Sequence, residues 1–494
     1  MSKIRTRFAP SPTGFLHIGG LRTALFNYLL AKSQGGRVIL RIEDTDQKRK
    51  VEGAMEKLIE ILDWTGLRFD EGPRLEAAKI VEAGSFGPYI QSRRVAIYQK
   101  YAKKLVDKSK AYYCFCSPEK LSRLRAQQQA EKKPPRYDRH CRNLDKKEVE
   151  ARLLSGEKYV IRQKMPLEGE VVVRDELRGD IKFQAQELED HVLLKSDGMP
   201  TYQLAVVVDD HLMEITHVVR GDDWLPSFPK NILLYRSFGW EPPKFIHIPL
   251  TLNKEGGKLS KRQGDVAVED YKKDGYLPQA LLNFCALLGW HPKDDREILS
   301  LEELVKEFKI KDMGISPAVF DRAKLEYING YYIRQTDLEE LTDLCLPYLR
   351  DNLKNASCAR KKERHFIKKI VKLEQERLKR LSEIAELTKF FFVGQPEYEA
   401  ELLVWKKMTL TEVRKNLEKI YELLEKIPND FWTDDSIEDA VMTYIKAKEL
   451  KVGEYLWPMR AALTGQPTSP GPFEVAEILG KEETLQRIKK AIKK

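Results

Sequence analysis

The chain has 494 residues and a formal charge of +10, with 42% hydrophobic and 33% charged residues. That length exceeds a single core and implies two to four domains. The composition excludes a disordered or fibrous chain, and no apolar run reaches the roughly 18 residues a membrane span needs. The charge excess permits a polyanionic partner without demanding one, while six cysteines and no secretory h-region after MSKIRTRF exclude a disulfide framework and point to the cytoplasm.

In chain order, residues 4–8 and 38–42 read as buried strands, and 21–32, 53–64 and 93–108 as helices by apolar spacing. Strands alternating with helices imply βαβ units and a parallel sheet. Between the first strand and helix lies APSPTGFLHIGG. Pro10 and Pro12 fix φ and withhold backbone donors, and Gly14 lets the backbone turn or approach a ligand. Such a loop sits at the carboxyl end of a parallel strand, where open α/β sheets bind nucleotides. The helix beyond it offers amide donors and a positive dipole to phosphate. His17 would add a donor there, with Gly19 and Gly20 keeping bulk away; alone, the same histidine could simply cap the helix.

Residues 114–143 are polar and loop-like, with LRAQQQAEKKPPRYD as an exposed excursion. Cys114, Cys116 and Cys141 have the close C-x-C pair and distant third thiol that suit zinc. YVIRQKM and EVVVRDELRGDIKFQ read as hairpin strands of a small α/β insert. HVLLKSDGMPTYQLAVVVDDHLMEITHVVRGDDW then restores the α/β texture, with two strands and a helix after Pro200. A cationic turn follows, GGKLSKRQGDV, carrying Lys258, Leu259, Ser260, Lys261 and Arg262. From about residue 275 the chain reads as nearly all helical. Within it, residues 359–381 form a basic amphipathic stretch, TGQPTSPGPFE separates two late helices, and Cys285, Cys345 and Cys358 fall in helical patterns as buried thiols.

The proline-stiffened H-x-G loop and the K-L-S-K-R turn, in this order, resemble the two signature elements of class I aminoacyl-tRNA synthetases. With RFAPSPTGFLHIGG, LRIEDTD, FDEGP, MPTYQLAVVVDDHLM, VVRGDDW and FDRAKLEYINGYYI, the chain resembles the bacterial-type glutamyl branch, densely to about residue 335 and more loosely to the C-terminus. Two departures are Gly20 in place of a second histidine and Arg262 in place of a final serine. The resemblance implies an α/β fold: a Rossmann-like doubly wound parallel-sheet catalytic domain in two halves (1–110 and 191–250) around an acceptor-end-binding α/β insert (111–190). A stem-contact region (251–330) and an all-α anticodon-binding region (331–494) would follow.

That resemblance implies activation of L-glutamate by ATP with Mg2+, transfer to tRNA(Glu), and a cytoplasmic monomer. It assigns glutamate to Arg7, Ala9, Ser11, Glu43, Tyr202 and Arg220, the arginines serving carboxylates and Glu43 the ammonium. ATP falls to Pro10, Ser11, Pro12, Thr13, Gly14, His17, Gly19 and Gly20 on one side. Lys258, Leu259, Ser260, Lys261 and Arg262 take the other, with His17, Lys258 and Lys261 catalytic. Asp222, Asp223 and Trp224 stand where the pocket closes, and Val206 occupies a position that is asparagine in some relatives. Relatives with zinc carry a histidine two residues after the third cysteine, where this chain has Asn143; either three thiols bind zinc with a water or a borrowed fourth group, or the site has decayed. Arg377 falls near the reader of the anticodon's third letter. A shortened tRNA-modifying relative would end near residue 300, and an inactive RNA-binding paralogue would not keep Arg7, His17, Glu43, Arg220 and Lys261 together.

Overall fold

A computed structural model describes residues 3–46, 51–257 and 267–494. The alternating pattern at the start becomes strand β1 (Arg5–Phe8), helix α1 (Ile18–Lys32) and strand β2 (Arg37–Leu40), with β1 and β2 parallel in the register Arg5↔Arg37. Leu21, Leu25 and Leu29 of α1 are fully buried, the i, i+4 stripe that holds a helix on a sheet. Helix α2 (Ala54–Thr65), the hairpin β3 (Gly72–Glu76) and β4 (Lys79–Ala83), and helix α3 (Val95–Asp107) complete the first half. A second layered unit supplies β10 (His217–Gly221), helix α7 (Phe228–Phe238) and β11 (Lys244–Ile248), again parallel, with Arg220 opposite His247. The Thr216 amide donates to the Arg5 carbonyl at 3.0 Å, which sets β10 beside β1.

The intervening segment is split between two sheets. Strands β5 (Ala111–Cys114), β6 (Val160–Gln163) and β9 (Val192–Leu194) form one antiparallel sheet. Strand β7 (Glu170–Asp175) instead joins β11 in parallel at Asp175↔Phe245 and carries β8 (Gly179–Gln184) as a hairpin partner. Residues 114–143 are not loop throughout. Helix α4 (Pro118–Ala130) begins under the Ser117 cap, whose side chain accepts the Lys120 amide, with Pro118 in the first turn. It buries no side chain, so apolar periodicity carried no sign of it, and its alanine, glutamine, arginine and leucine content sustains it by propensity. Helix α5 (Lys146–Leu154) follows, and α6 (Tyr202–Leu212) starts two residues past Pro200. These elements belong to one compact unit, Met1–Lys272 with Pro278–Leu325.

The second unit comprises Lys273–Leu277 with Glu326–Lys494, and its regular elements are helical. Leu410–Glu425 buries Val413, Leu417, Ile420 and Leu424 on one stripe, packed on Val452–Thr464 and Lys481–Ile492. The basic stretch 359–381 is broken: a 3-10 turn at Ala359–Lys362, a helix at Arg364–Glu374, then an irregular turn. Its cations are largely paired with carboxylates. Lys361 is buried on Glu483 at 2.8 Å, Arg364 reaches Asp343 and Glu339, Lys368 also meets Glu339, and Lys369 meets Glu477 at 2.9 Å. Cys285 and Cys345 are buried, whereas Cys358 is exposed ahead of the 3-10 turn rather than inside a helix. No helix among the described residues is long and apolar enough to cross a membrane.

Candidate functional site

The loop after β1 is held by its carbonyls, which is why prolines suit it. The Arg41 amide donates to Phe8 at 2.9 Å, Glu43 to Pro10 at 3.0 Å and Thr13 to Ser11 at 2.9 Å. His17 is the N-cap of α1, and its Nδ1 accepts the Gly20 amide at 3.0 Å. A neutral ring used in this way carries its proton on Nε2, so the imidazole caps the helix with one nitrogen and is a donor at the other. A Cβ at Gly19 would lie 3.2 Å from His17 Nδ1, so a side chain there would crowd the ring.

His17, Gly19 and Gly20 line a cavity of about 640 Å³, with Ala9, Pro10, Ser11, Thr13 and Gly14 along its floor. Arg7 and Glu43 line it from the ends of the first two strands, Arg220 from β10 and Tyr202 from the start of α6. Pro12 is buried behind the loop and does not line the cavity.

The Arg7 side is a chain of alternating charges. Arg7 Nε donates to Asp210 Oδ1 at 3.1 Å, Arg41 donates to the same oxygen at 2.7 Å, and Arg41 also reaches Glu43 Oε1 at 2.9 Å. Asp209 behind them is held by Arg94 at 2.8 Å and by Tyr98 at 2.7 Å. All are buried. Burial pushes the Glu43 carboxyl above its ordinary range, and Arg41 and Arg7 pull it back only in part.

Arg220 is different. It is 5% exposed, yet its hydrogen-bond partners are uncharged: Nε donates to His247 Nε2 at 3.0 Å, and one terminal nitrogen to Asn231 Oδ1 at 3.0 Å and Tyr202 Oη at 3.2 Å. Its second terminal nitrogen is buried with no partner. Burial lowers the guanidinium pKa, as expected where neutral groups replace water around a cation. Trp224 packs on Tyr202 with ring centroids 4.3 Å apart and planes tilted by 30°, lining the cavity beside Asp223, while Asp222 turns to Arg178 at 3.2 Å. Val206 is buried in the core of α6 and contributes no polar group.

Lys258, Leu259, Ser260, Lys261 and Arg262 lie outside the described residues. Past them, Ala267 bridges His17 and the Val268 amide donates to Leu16 at 2.8 Å. Arg41, Asp210, His247, Asp175 and Asn231 were not singled out from the sequence. The adjacent carboxylates of VVVDD, in an otherwise apolar helix, were the one local sign of a buried charge cluster.

Away from the cavity, Cys114, Cys116 and Cys141 bring their sulfurs within 4.8 Å of one another. The Tyr137 hydroxyl stands 3.2 Å from Cys114 Sγ, 3.7 Å from Cys116 Sγ, and accepts the Cys141 amide at 3.0 Å. Hydrogen bonds from Cys141 and Tyr137 outweigh burial and lower the Cys114 thiol to about 4, while burial raises Cys116 and the bond to Cys114 together with burial raises Cys141. His140 is exposed and outside the cluster. In the second unit, Arg377 is partly exposed and donates to Glu374 at 2.7 Å, a fully buried carboxylate pushed up to about 7 by burial.

Residues 3–327 match the family model for the catalytic domain of class I tRNA synthetases (E and Q), and residues 340–492 match an anticodon binding domain. The chain is 48% identical over 496 residues to a glutamate--tRNA ligase of Clostridium botulinum, covering 100% of this chain and 99% of that protein. It is likewise 48% identical to that of Clostridium tetani, covering 100% and 98%. The crystal structure of a glutamate tRNA ligase from Elizabethkingia meningosepticum in complex with its amino acid superimposes with a TM-score of 0.89 at 37% identity, covering 100% of this chain and 99% of that one.

Proposed function

The chain belongs to the class I tRNA synthetases of the glutamate and glutamine branch, and from that premise we propose how its cavity acts as a glutamate–tRNA ligase. The observation that carries the reading is Arg220, a buried guanidinium with one nitrogen unpartnered and no carboxylate among its hydrogen-bond partners. A buried cation calls for an anion, and Arg7 supplies a second guanidinium lining the same cavity. The two arginines would take the carboxylates of glutamate and Glu43 its ammonium, with Ala9 and Ser11 close along the loop and Tyr202 as a wall.

The α-carboxylate is ionised at neutral pH and needs no general base. Its oxygen attacks the α-phosphorus of ATP, supplied as the Mg2+ complex. The O–P bond forms as the bond to the bridging oxygen breaks, and pyrophosphate leaves with that electron pair. The protein's work is alignment and stabilisation of charge on the phosphate oxygens. The floor of Pro10, Ser11, Thr13 and Gly14 and the end of α1 would cradle the nucleotide, with Pro12 stiffening the turn and Gly19 and Gly20 leaving room. His17 Nε2–H would face the α-phosphate. On the motif alone, Lys258 and Lys261 would hold the leaving pyrophosphate, with Leu259, Ser260 and Arg262 in the same turn. A terminal tRNA hydroxyl then attacks the acyl carbon and displaces AMP.

Residues 111–190 would receive the acceptor end and residues 331–494 the anticodon of tRNA(Glu), where Arg377, held by Glu374, is the candidate reader. ATP–pyrophosphate exchange with glutamate and total tRNA, followed by charging of purified tRNA(Glu), tests the reading. We expect exchange only with glutamate and tRNA present, and a raised KM for tRNA alone in Arg377→Ala. Exchange with another amino acid in place of glutamate would overturn it.

The thiol cluster fits zinc. Three sulfurs converge, and the Tyr137 oxygen supplies a fourth donor where Asn143 replaces the relatives' histidine. Cys114, Cys116, Cys141 and Tyr137 would hold the ion, whose role would be to cross-link the ends of segment 114–141. Purified protein should carry about one zinc per chain; Cys141→Ser should lose it and become protease-sensitive in that segment. Protein from zinc-supplemented expression that holds none would refute the assignment.

A further inference from the structure

We infer that Asp175 and His247 are positioning residues for glutamate, acting through Arg220; this rests on the glutamate reading of the cavity. His247 is fully buried between Arg220 and Asp175, and its two ring nitrogens do opposite jobs. Nε2 accepts from Arg220 Nε at 3.0 Å, so it has no proton. Nδ1 lies 2.8 Å from Asp175 Oδ2 and is the donor. The ring is neutral: burial lowers its pKa, and the nearby Arg220 and Arg178 cations oppose the carboxylate of Asp175.

Asp175 can support only this tautomer. Its Oδ2 accepts the His247 backbone amide at 3.0 Å as well as Nδ1–H, and its Oδ1 accepts the amides of Leu177 at 2.9 Å and Arg178 at 3.0 Å. Four donors converge on two oxygens, which only a carboxylate can satisfy. The consequence runs outward. A fixed acceptor at Nε2 anchors Arg220 Nε, the Asn231 and Tyr202 oxygens hold one terminal nitrogen, and the guanidinium plane is locked with its remaining nitrogen unpartnered. Aspartate–histidine support of this kind works by tautomer and orientation rather than by contact with substrate.

The variants separate these roles. His247→Asn keeps a donor for Asp175 but leaves Arg220 Nε–H without an acceptor, whereas the longer His247→Gln can return one. Asp175→Asn sets an NH2 group against a donor in either orientation. In tRNA-dependent exchange, His247→Asn and Asp175→Asn should raise the KM for glutamate roughly 10- to 100-fold, the range found for orienting partners at metal sites. The KM for ATP should stay within about twofold of wild type, and His247→Gln should recover most of the loss.

A second measurement uses the wild-type enzyme, labelled with 15N at its eight histidines. One ring should be an Nδ1–H tautomer whose Nε2 resonance moves when glutamate is added. The inference is overturned if no such ring responds, or if the variants that fold raise the two KM values together or neither. Should Arg220 substitutions themselves leave glutamate binding untouched, the reading of the cavity fails instead.

Discussion

Arg220→Gln is expected to raise the KM for glutamate about 30- to 5,000-fold with kcat changed far less, corresponding to about 2–5 kcal/mol for one side of a buried charge pair. The argument is desolvation. The guanidinium sits at 5% exposure among a histidine, an asparagine and a tyrosine, none of which carries a balancing charge. Folding has already met the cost of removing it from water, so a carboxylate arriving at the unpartnered nitrogen gains a charge-assisted bond without that cost being met again. Arg7 is no replacement, because it is assigned the other carboxylate and its Nε is already engaged by Asp210 at 3.1 Å. Arg220→Lys should recover little, since an ammonium lacks both the Nε donor for His247 and the planar fork. A glutamate KM within threefold of wild type would remove Arg220 from the pocket's chemistry.

His17→Asn should lower kcat for pyrophosphate exchange about 100- to 1,000-fold, the effect of deleting one preorganised donor to developing charge. Asparagine is chosen because His17 has two functions in one ring. Nδ1 caps α1 by accepting the Gly20 amide at 3.0 Å, and asparagine is among the best N-caps. The variant therefore keeps the helix end while losing the Nε2 donor. His17→Ala removes both and should add a drop in thermal midpoint, since losing a cap costs about 1 kcal/mol. Exchange kinetics and melting curves of the pair distinguish capping from catalysis. If Asn exchanges as fast as wild type, the imidazole is a cap alone.

Much of this was legible from local chemistry. Prolines at 10 and 12 constrain φ wherever they occur, and a histidine two residues before a glycine pair at a helix start can be recognised without knowing its neighbours. Arg7, Glu43 and Arg220 could be named from their motifs, but the charge order Arg7–Asp210–Arg41–Glu43 could not, because it joins residues up to 203 positions apart. Helix Pro118–Ala130 escaped periodicity because it buries nothing. The basic stretch looked continuous over 359–381, yet it ends as a helix at Glu374, whose carboxyl is buried, and the Gln375 side chain donates to the carbonyls of Ile333 and Thr336. Tertiary partners there override a strong amphipathic pattern.

The strand Glu170–Asp175 reaches past its own hairpin to pair with Phe245 and to brace His247. The hairpin is therefore no exchangeable cassette. A chimera that grafts a foreign segment across residues 170–184 must reproduce one carboxylate at one register position, or it inherits a misaligned amino-acid pocket however well the graft folds.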